Sequence, residues 1–94
     1  MTEAELLSLV KDRIGVTGIY QDKTIKGYIK DVKDFMLDAG VQKSIIDSDA
    51  SVGVISRGVN DLWKLESGTV DFSNYFKMRV IQLAAKTATI TEVV

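Results

Sequence analysis

Two of the side chains that carry most acid–base, nucleophilic and metal chemistry are missing: the 94-residue chain has no histidine and no cysteine. It therefore has no imidazole to titrate near neutral pH, no thiolate nucleophile and none of the usual zinc ligands. Carboxylates, hydroxyls and amines remain. Asp31, Asp34 and Asp38 fall at steps of three and four, which places them near one another on a helix. Lysines alternate with them and nothing apolar surrounds them to raise a pKa, so they read as a solvated face and not as an acid–base dyad. Asp47-Ser48-Asp49 opens like a calcium loop but lacks the following glycine and the distal glutamate, and reads as a helix-capping cluster. Gly15 and Gly18 lack the third glycine and the preceding strand of a dinucleotide fingerprint. Ser8, Ser44, Ser56, Ser67 and Ser73 have no base except lysine and sit in no nucleophile elbow. No catalytic, cofactor-binding or metal-ligating residue is expected. Such a chain is expected to work through its surfaces.

Those surfaces must be set by helices. Thr2 with Glu5 three residues on has capping-box spacing, and Leu6, Leu7, Val10 and Ile14 give the first helix its buried face. Gly15 and Gly18 then mark a turn containing Val16 and Ile19. The second helix is the clearest. Ile25, Tyr28, Ile29, Val32, Phe35, Met36 and Ala39 recur at helical steps, with Asp22 as its N-cap and Gly40 at the left-handed C-terminal position. Residues 41–50 read as a loop anchored by Ile45 and Ile46, with Ser48, Asp49 or Ser51 capping a third helix. That helix carries Val52, Ile55, Val59 and Leu62, with Trp63 alongside. Its two glycines, Gly53 and Gly58, each weaken it by roughly 1 kcal/mol relative to alanine and could admit a neighbouring helix closely. After a turn at Gly68, Asp71 or Ser73 caps a fourth helix bearing Phe76, Val80, Leu83 and Ala84, with Ile81 nearby. The β-branched run from Thr87 to Val94 is expected to be an edge strand, an intersubunit arm or a frayed tail.

The expected architecture is mainly α: one domain over residues 1–94, a small bundle of about four helices with a short C-terminal strand or arm. Nine acids and seven bases in residues 1–50, and four and five in the remainder, leave a net charge of −1 and no basic excess for gripping a phosphate backbone. No apolar run is long enough to span a membrane, the N-terminus lacks the basic start of a secretory signal, and the absence of cysteine suits a reducing cytoplasm. Among the aromatics, Trp63 and Phe76 are expected in the core. Phe72 and Tyr75 flank the last helix's start, where they can pack locally or serve as exposed anchors for a partner.

The order of residues in the second half carries a further signal. Val59-Asn60-Asp61-Leu62-Trp63, the Ser67-Gly68 turn, Phe72-Ser73-Asn74-Tyr75-Phe76 and Arg79-Val80-Ile81-Gln82-Leu83 together resemble the small head–tail connector proteins of tailed phages and prophages, which are also described as DNA-packaging proteins. The first half agrees in outline, with a short helix, a loop and a long helix from Asp22 to Gly40. Where some relatives carry Gln-Leu-Arg-Gly near the end, this chain has Gln82-Leu83-Ala84-Ala85.

The resemblance implies a non-enzymatic structural subunit without cofactors, acting at the virion head–tail junction after assembly in the host cytoplasm. Its implied partners are copies of itself in a ring near twelve-fold, the portal protein, and the next head-completion or tail protein. DNA would pass through the ring without sequence-specific recognition, and no membrane is involved. Phe72, Tyr75, Ile90, Val93 and Val94 are the candidate interaction residues. The alternative is a small helix-turn-helix DNA-binding regulator, motivated by four short helices in a chain of suitable length and opposed by the few bases on the third and fourth.

Overall fold

The computed structural model describes residues 1–64 and the backbone of 72–93, with side chains through Ala85. Its elements are α1 (Glu3–Ile14), α2 (Asp22–Asp38), a one-turn α3 (Lys43–Ile46), a 3-10 turn (Asp49–Ser51), α4 (Val52–Trp63) and α5 (Asn74–Val93). The protein is mainly helical, and no strand occurs among the described residues. None of these helices is long and apolar enough to cross a membrane.

The capping box forms as the sequence indicates. Thr2 Oγ1 accepts from the Glu5 amide at 3.1 Å while the Thr2 amide donates to the Glu5 carboxylate at 3.4 Å. α2 closes on Gly40, whose φ of +96° lies in the left-handed region where a side chain would be strained. The Gly40 and Val41 amides donate back to the Leu37 and Met36 carbonyls, each at 3.0 Å. Val41 and Met36 are both buried beneath this closure, so the cap is an apolar contact as well as a pair of hydrogen bonds.

Two cap assignments need correction. Gln21, not Asp22, precedes α2, because the Asp22 carboxylate is taken by the Lys11 ammonium at 2.6 Å. Neither Ser48, Asp49 nor Ser51 caps α4 with its side chain. Both serine hydroxyls donate instead: Ser51 to the Ile46 and Ser48 carbonyls at 2.5 and 3.0 Å, and Ser48 to Ile45 at 2.7 Å. The 41–50 segment is accordingly more ordered than a loop. Its α3 turn buries Ile46, and Ile45 packs at the core's edge.

α4 is the central helix, packed against α1, α2 and α5. Leu6, Val10, Ile25, Val32, Met36, Ile55, Val59, Phe76 and Val80 are all buried around it. Its two glycines differ in kind. A Cβ at Gly58 would stand 2.6 Å from Phe76 Cε1 and 2.9 Å from Val32 Cγ2, whereas at Gly53 the nearest atom is an Arg13 nitrogen at 4.0 Å. Gly58 is the close approach that lets the Phe76 ring lie flush on α4; Gly53 has no such neighbour.

The C-terminal strand expectation is overturned. Residues 87–93 continue α5, which runs unbroken to Val93. Thr, Ile and Val lose only a few tenths of a kcal/mol per residue against good helix formers, and no glycine or proline interrupts the run that Ala84 and Ala85 lead into. The Asp71 cap, the Gly68 turn and Val94 lie outside the described residues.

Candidate interaction surface

The seat of α5 is built from aromatic rings. Phe35 of α2 lies 4.9 Å from Phe72 and 5.5 Å from Phe76, centroid to centroid, and Phe72 lies 4.5 Å from Phe76. Ser73 starts the helix between them. Its Oγ accepts from the Phe76 amide at 3.2 Å, while its own hydroxyl and amide donate to Asp61 Oδ2 at 2.7 and 3.1 Å. One carboxylate of α4 thus fixes where α5 begins.

This arrangement separates the candidate residues. Phe72 is half-buried in the aromatic seat, so it packs locally and is no exposed anchor. Tyr75 is 57% exposed, with the Arg57 guanidinium 5.1 Å from its ring centre. Ile90 and Val93 are on the last two turns of α5, but their side chains, like all of Val94, lie outside the described residues. Trp63, expected in the core, is half-buried at its edge, with Tyr28 against it edge-on at 6.4 Å.

Met78 and Ile81, at 57% and 65% exposed, extend Tyr75 into a stripe on the outer face of α5. Val80 and Phe76 are buried on the inner face, with Leu83 and Ala84 partly so. The helix is therefore apolar on both sides. It carries apolar residues on two faces, with Arg79 and Gln82 exposed beside the outer ones, and this pattern is legible in the order Tyr75, Phe76, Met78, Val80, Ile81, Leu83.

Sequence reasoning missed a second feature. Ile19 and Tyr20 are 84% and 94% exposed at the tip of the α1–α2 turn, the most solvent-facing large apolar residues described. The turn that carries them is tied down: Lys11 Nζ donates to the Gly18 carbonyl as well as to Asp22. The Lys11–Asp22 pair is only 15% and 25% exposed, so this is a held projection and not a dangling end. Nothing in residue spacing distinguishes Tyr20 from an ordinary turn residue; the pairing of Lys11 with Asp22 depends on the fold.

The two patches are set apart along α2. Ile19 and Tyr20 precede its first turn, whereas α5 lies along its C-terminal half, with Phe76 against Phe35 and Ala84 near Gly40. At a rise of 1.5 Å per residue the axial distance from the first turn of α2 to Phe35 and Gly40 is about 20–27 Å. α2 also has two unlike flanks. At about 100° per residue, Tyr28 and Phe35 stand on one side of its buried stripe and Lys26, Lys33 and Leu37 on the other. The second flank borders a groove of about 400 Å³ with Leu6, Ile29 and Ile46 in its floor and Lys30 and Lys43 on its rim. Lys30 bonds Asp34 at 2.9 Å and Lys43 bonds Asp47 at 2.7 Å. These bonds hold both amines above their ordinary pKa and the Asp47 carboxyl below its own.

No family model, curated protein or solved structure matches this chain.

Proposed function

We propose that this protein is a structural subunit of a phage head–tail connector, a ring that docks on the portal after DNA packaging and joins head to tail. The observation that carries the reading is the presence of two unlike apolar patches, the Ile19–Tyr20 tip and the Tyr75–Met78–Ile81 stripe, separated along α2. Two different patches on one subunit are what a head-to-tail contact requires, and head-to-tail contacts form rings where the rotation between neighbours closes. The occupant of each patch is a second copy of this chain, with the tip of one copy seated on the stripe of the next.

Magnitudes support a ring over a stable pair. Tip and stripe together expose on the order of 600 Å² of side chain, taking about 150–250 Å² for each large residue and its exposed fraction. A stable pairwise interface buries about 1,200–2,000 Å², so one such contact is weak alone. Closure gives every copy two contacts, and a portal template would add a third surface. Such a subunit stays monomeric when dilute and assembles when concentrated or templated.

The helix-turn-helix alternative has less support. A recognition helix needs a free, basic face to enter the major groove. α4 buries Val52, Val54, Ile55, Ser56, Gly58, Val59 and Leu62, and on the outer face of α5 the apolar Tyr75, Met78 and Ile81 share the surface with a single arginine, Arg79, which is bonded to Gln82.

Quantitative mass spectrometry of purified tailed particles from the strain encoding this chain tests the proposal. Its peptides at about a dozen copies per particle are the expected result for a ring of this symmetry class. Expression in the cell with absence from the particles would overturn it.

A further inference from the structure

We infer that the groove beside α2 is a docking site for the outer face of α1 from a second copy of this chain, the two helices running antiparallel. The contact is separate from the tip and the stripe and uses none of their residues. The first turns of α1 and the α3 turn form one side of the groove, and the Lys26–Leu37 flank of α2 forms the other. Leu6 and Ile46 are each 2% exposed, so the floor is already closed. What stays open is Leu37, 46% exposed, and the lysine stems of the flank, whose methylenes cover apolar surface while the amines remain in water.

The charges of the rim select an acidic occupant. Four lysines, at 26, 30, 33 and 43, stand there against three carboxylates, Glu3, Asp34 and Asp47, an excess of one positive charge. Lys30 and Lys43 are taken by Asp34 and Asp47. Lys26 and Lys33 have no ion pair or hydrogen bond among the described residues. They are seven residues apart on one flank, so a complementary helix needs two acids at that spacing with an apolar residue between them.

α1 carries that pattern on its solvent side. Glu5, Leu9 and Asp12 follow at steps of four and three and therefore share a face. All three are exposed, Leu9 by 41%. Asp12 has no partner among the described residues, and the capping box uses only one oxygen of Glu5. At 1.5 Å per residue the acids and the free lysines are each about 10 Å apart along their helices. Glu5 of one copy meets Lys33 of the other, and Asp12 meets Lys26. The antiparallel course also brings Met1, 41% exposed, towards the Leu37 end of α2, whereas a parallel course carries it away.

Met1, Leu9 and Leu37 together expose about 200 Å² on the scale used for the tip and stripe, roughly a third of that surface. This contact does not hold copies together by itself; it orients copies that another contact has brought close.

Disulfide trapping reads contacts too weak for sedimentation, and the chain has no cysteine to interfere. Isotope-labelled Glu5→Cys and unlabelled Lys33→Cys copies are mixed at high concentration in a glutathione redox buffer, and heterodimers are counted by mass against homodimers. All copies also carry Ile81→Asp, which removes the stripe and keeps a failure of the connector reading distinct from a failure here. Heterodimers severalfold above the random proportion are expected, and likewise for Asp12→Cys with Lys26→Cys. High salt should lower the excess, because the ion pairs are at the surface. Leu9→Asp, at an exposed position that leaves the core intact, should abolish it. A random proportion for both pairs, a greater excess for the crossed pairs Glu5 with Lys26 and Asp12 with Lys33, or an excess unchanged by Leu9→Asp would overturn the inference.

Discussion

The two long helices, α2 and α5, meet solvent in opposite ways. α2 buries Ile25, Ile29, Val32 and Met36 and turns Lys23, Lys26, Lys30, Asp31, Asp34 and Asp38 outward, with Leu37 the one large apolar exception. α5 buries Phe76 and Val80 on one side yet exposes Tyr75, Met78 and Ile81 on the other. Apart from Leu37, the large apolar side chains of α2 are buried or half-buried within one subunit. α5 has apolar surface left over after the monomer has folded, and the same is true of the Ile19–Tyr20 tip. Amphipathicity therefore separates elements that complete the subunit from those with surface still to cover.

The inner face of α5 should show the largest effect. Phe76→Ala removes a fully buried ring from the aromatic seat and should cost about 3–5 kcal/mol in urea denaturation. A loss no greater than that of a surface substitution would mean α5 is not seated as described. Next come the glycines of α4, which should move in opposite directions. Gly58→Ala brings a methyl within 2.6 Å of Phe76, and the overpacking, about 1–3 kcal/mol, outweighs the helix-propensity gain. Gly53→Ala meets nothing closer than 4.0 Å and should gain up to about 1 kcal/mol. Equal signs for the two would refute the close approach at Gly58. Ser73→Ala, which deletes the cap of α5 and its bond to Asp61, should cost about 1 kcal/mol, read by the same denaturation.

The smallest effect concerns pH. Asp47's carboxyl is held below its ordinary value by the Lys43 hydrogen bond, and the amines of Lys43 and Lys30 are held above theirs by Asp47 and Asp34. A depressed carboxyl contributes stability above its unfolded pKa and loses it as pH falls through the folded value. A raised amine contributes below its unfolded pKa and loses it as pH rises through the folded value. Both windows lie outside neutrality and the chain has no histidine, so Tm should be flat from roughly pH 5 to 9. A step near neutral pH would show that another group governs folding.

Most of the fold was legible because α1, α2 and α4 carry strong apolar periodicity. The same regularity led to Leu6, Val10, Ile25, Val32, Ile55 and Val59 as core, all of them buried. Gly58's close approach could be anticipated in kind but not assigned to Phe76, since helix pairing is a tertiary fact. α3 escaped because four residues are too short to show a period. Ser51 does take the N-cap position of α4, but a hydroxyl that can accept at a cap can equally donate, and here it donates. The helical course of residues 87–93 went against local β propensity, which is weak beside propagation from an established helix. Of the contact surface, Tyr75 was read from its place at the helix start. Met78 and Ile81 were open to the same reasoning, and Tyr20 was not.

The relation between the two apolar patches can be tested by sedimentation of four samples across a concentration series: the unaltered protein, Tyr20→Asp, Ile81→Asp and an equimolar mixture of the two variants. Both substitutions are at exposed positions and should leave stability within about 0.5 kcal/mol. If the tip of one copy seats on the stripe of the next, the unaltered protein grows beyond a dimer with concentration and each variant alone stays monomeric. The mixture, having one intact tip and one intact stripe, then stops at a dimer. Association of either variant like the unaltered protein, or a mixture that remains monomeric, would contradict a head-to-tail contact through these residues.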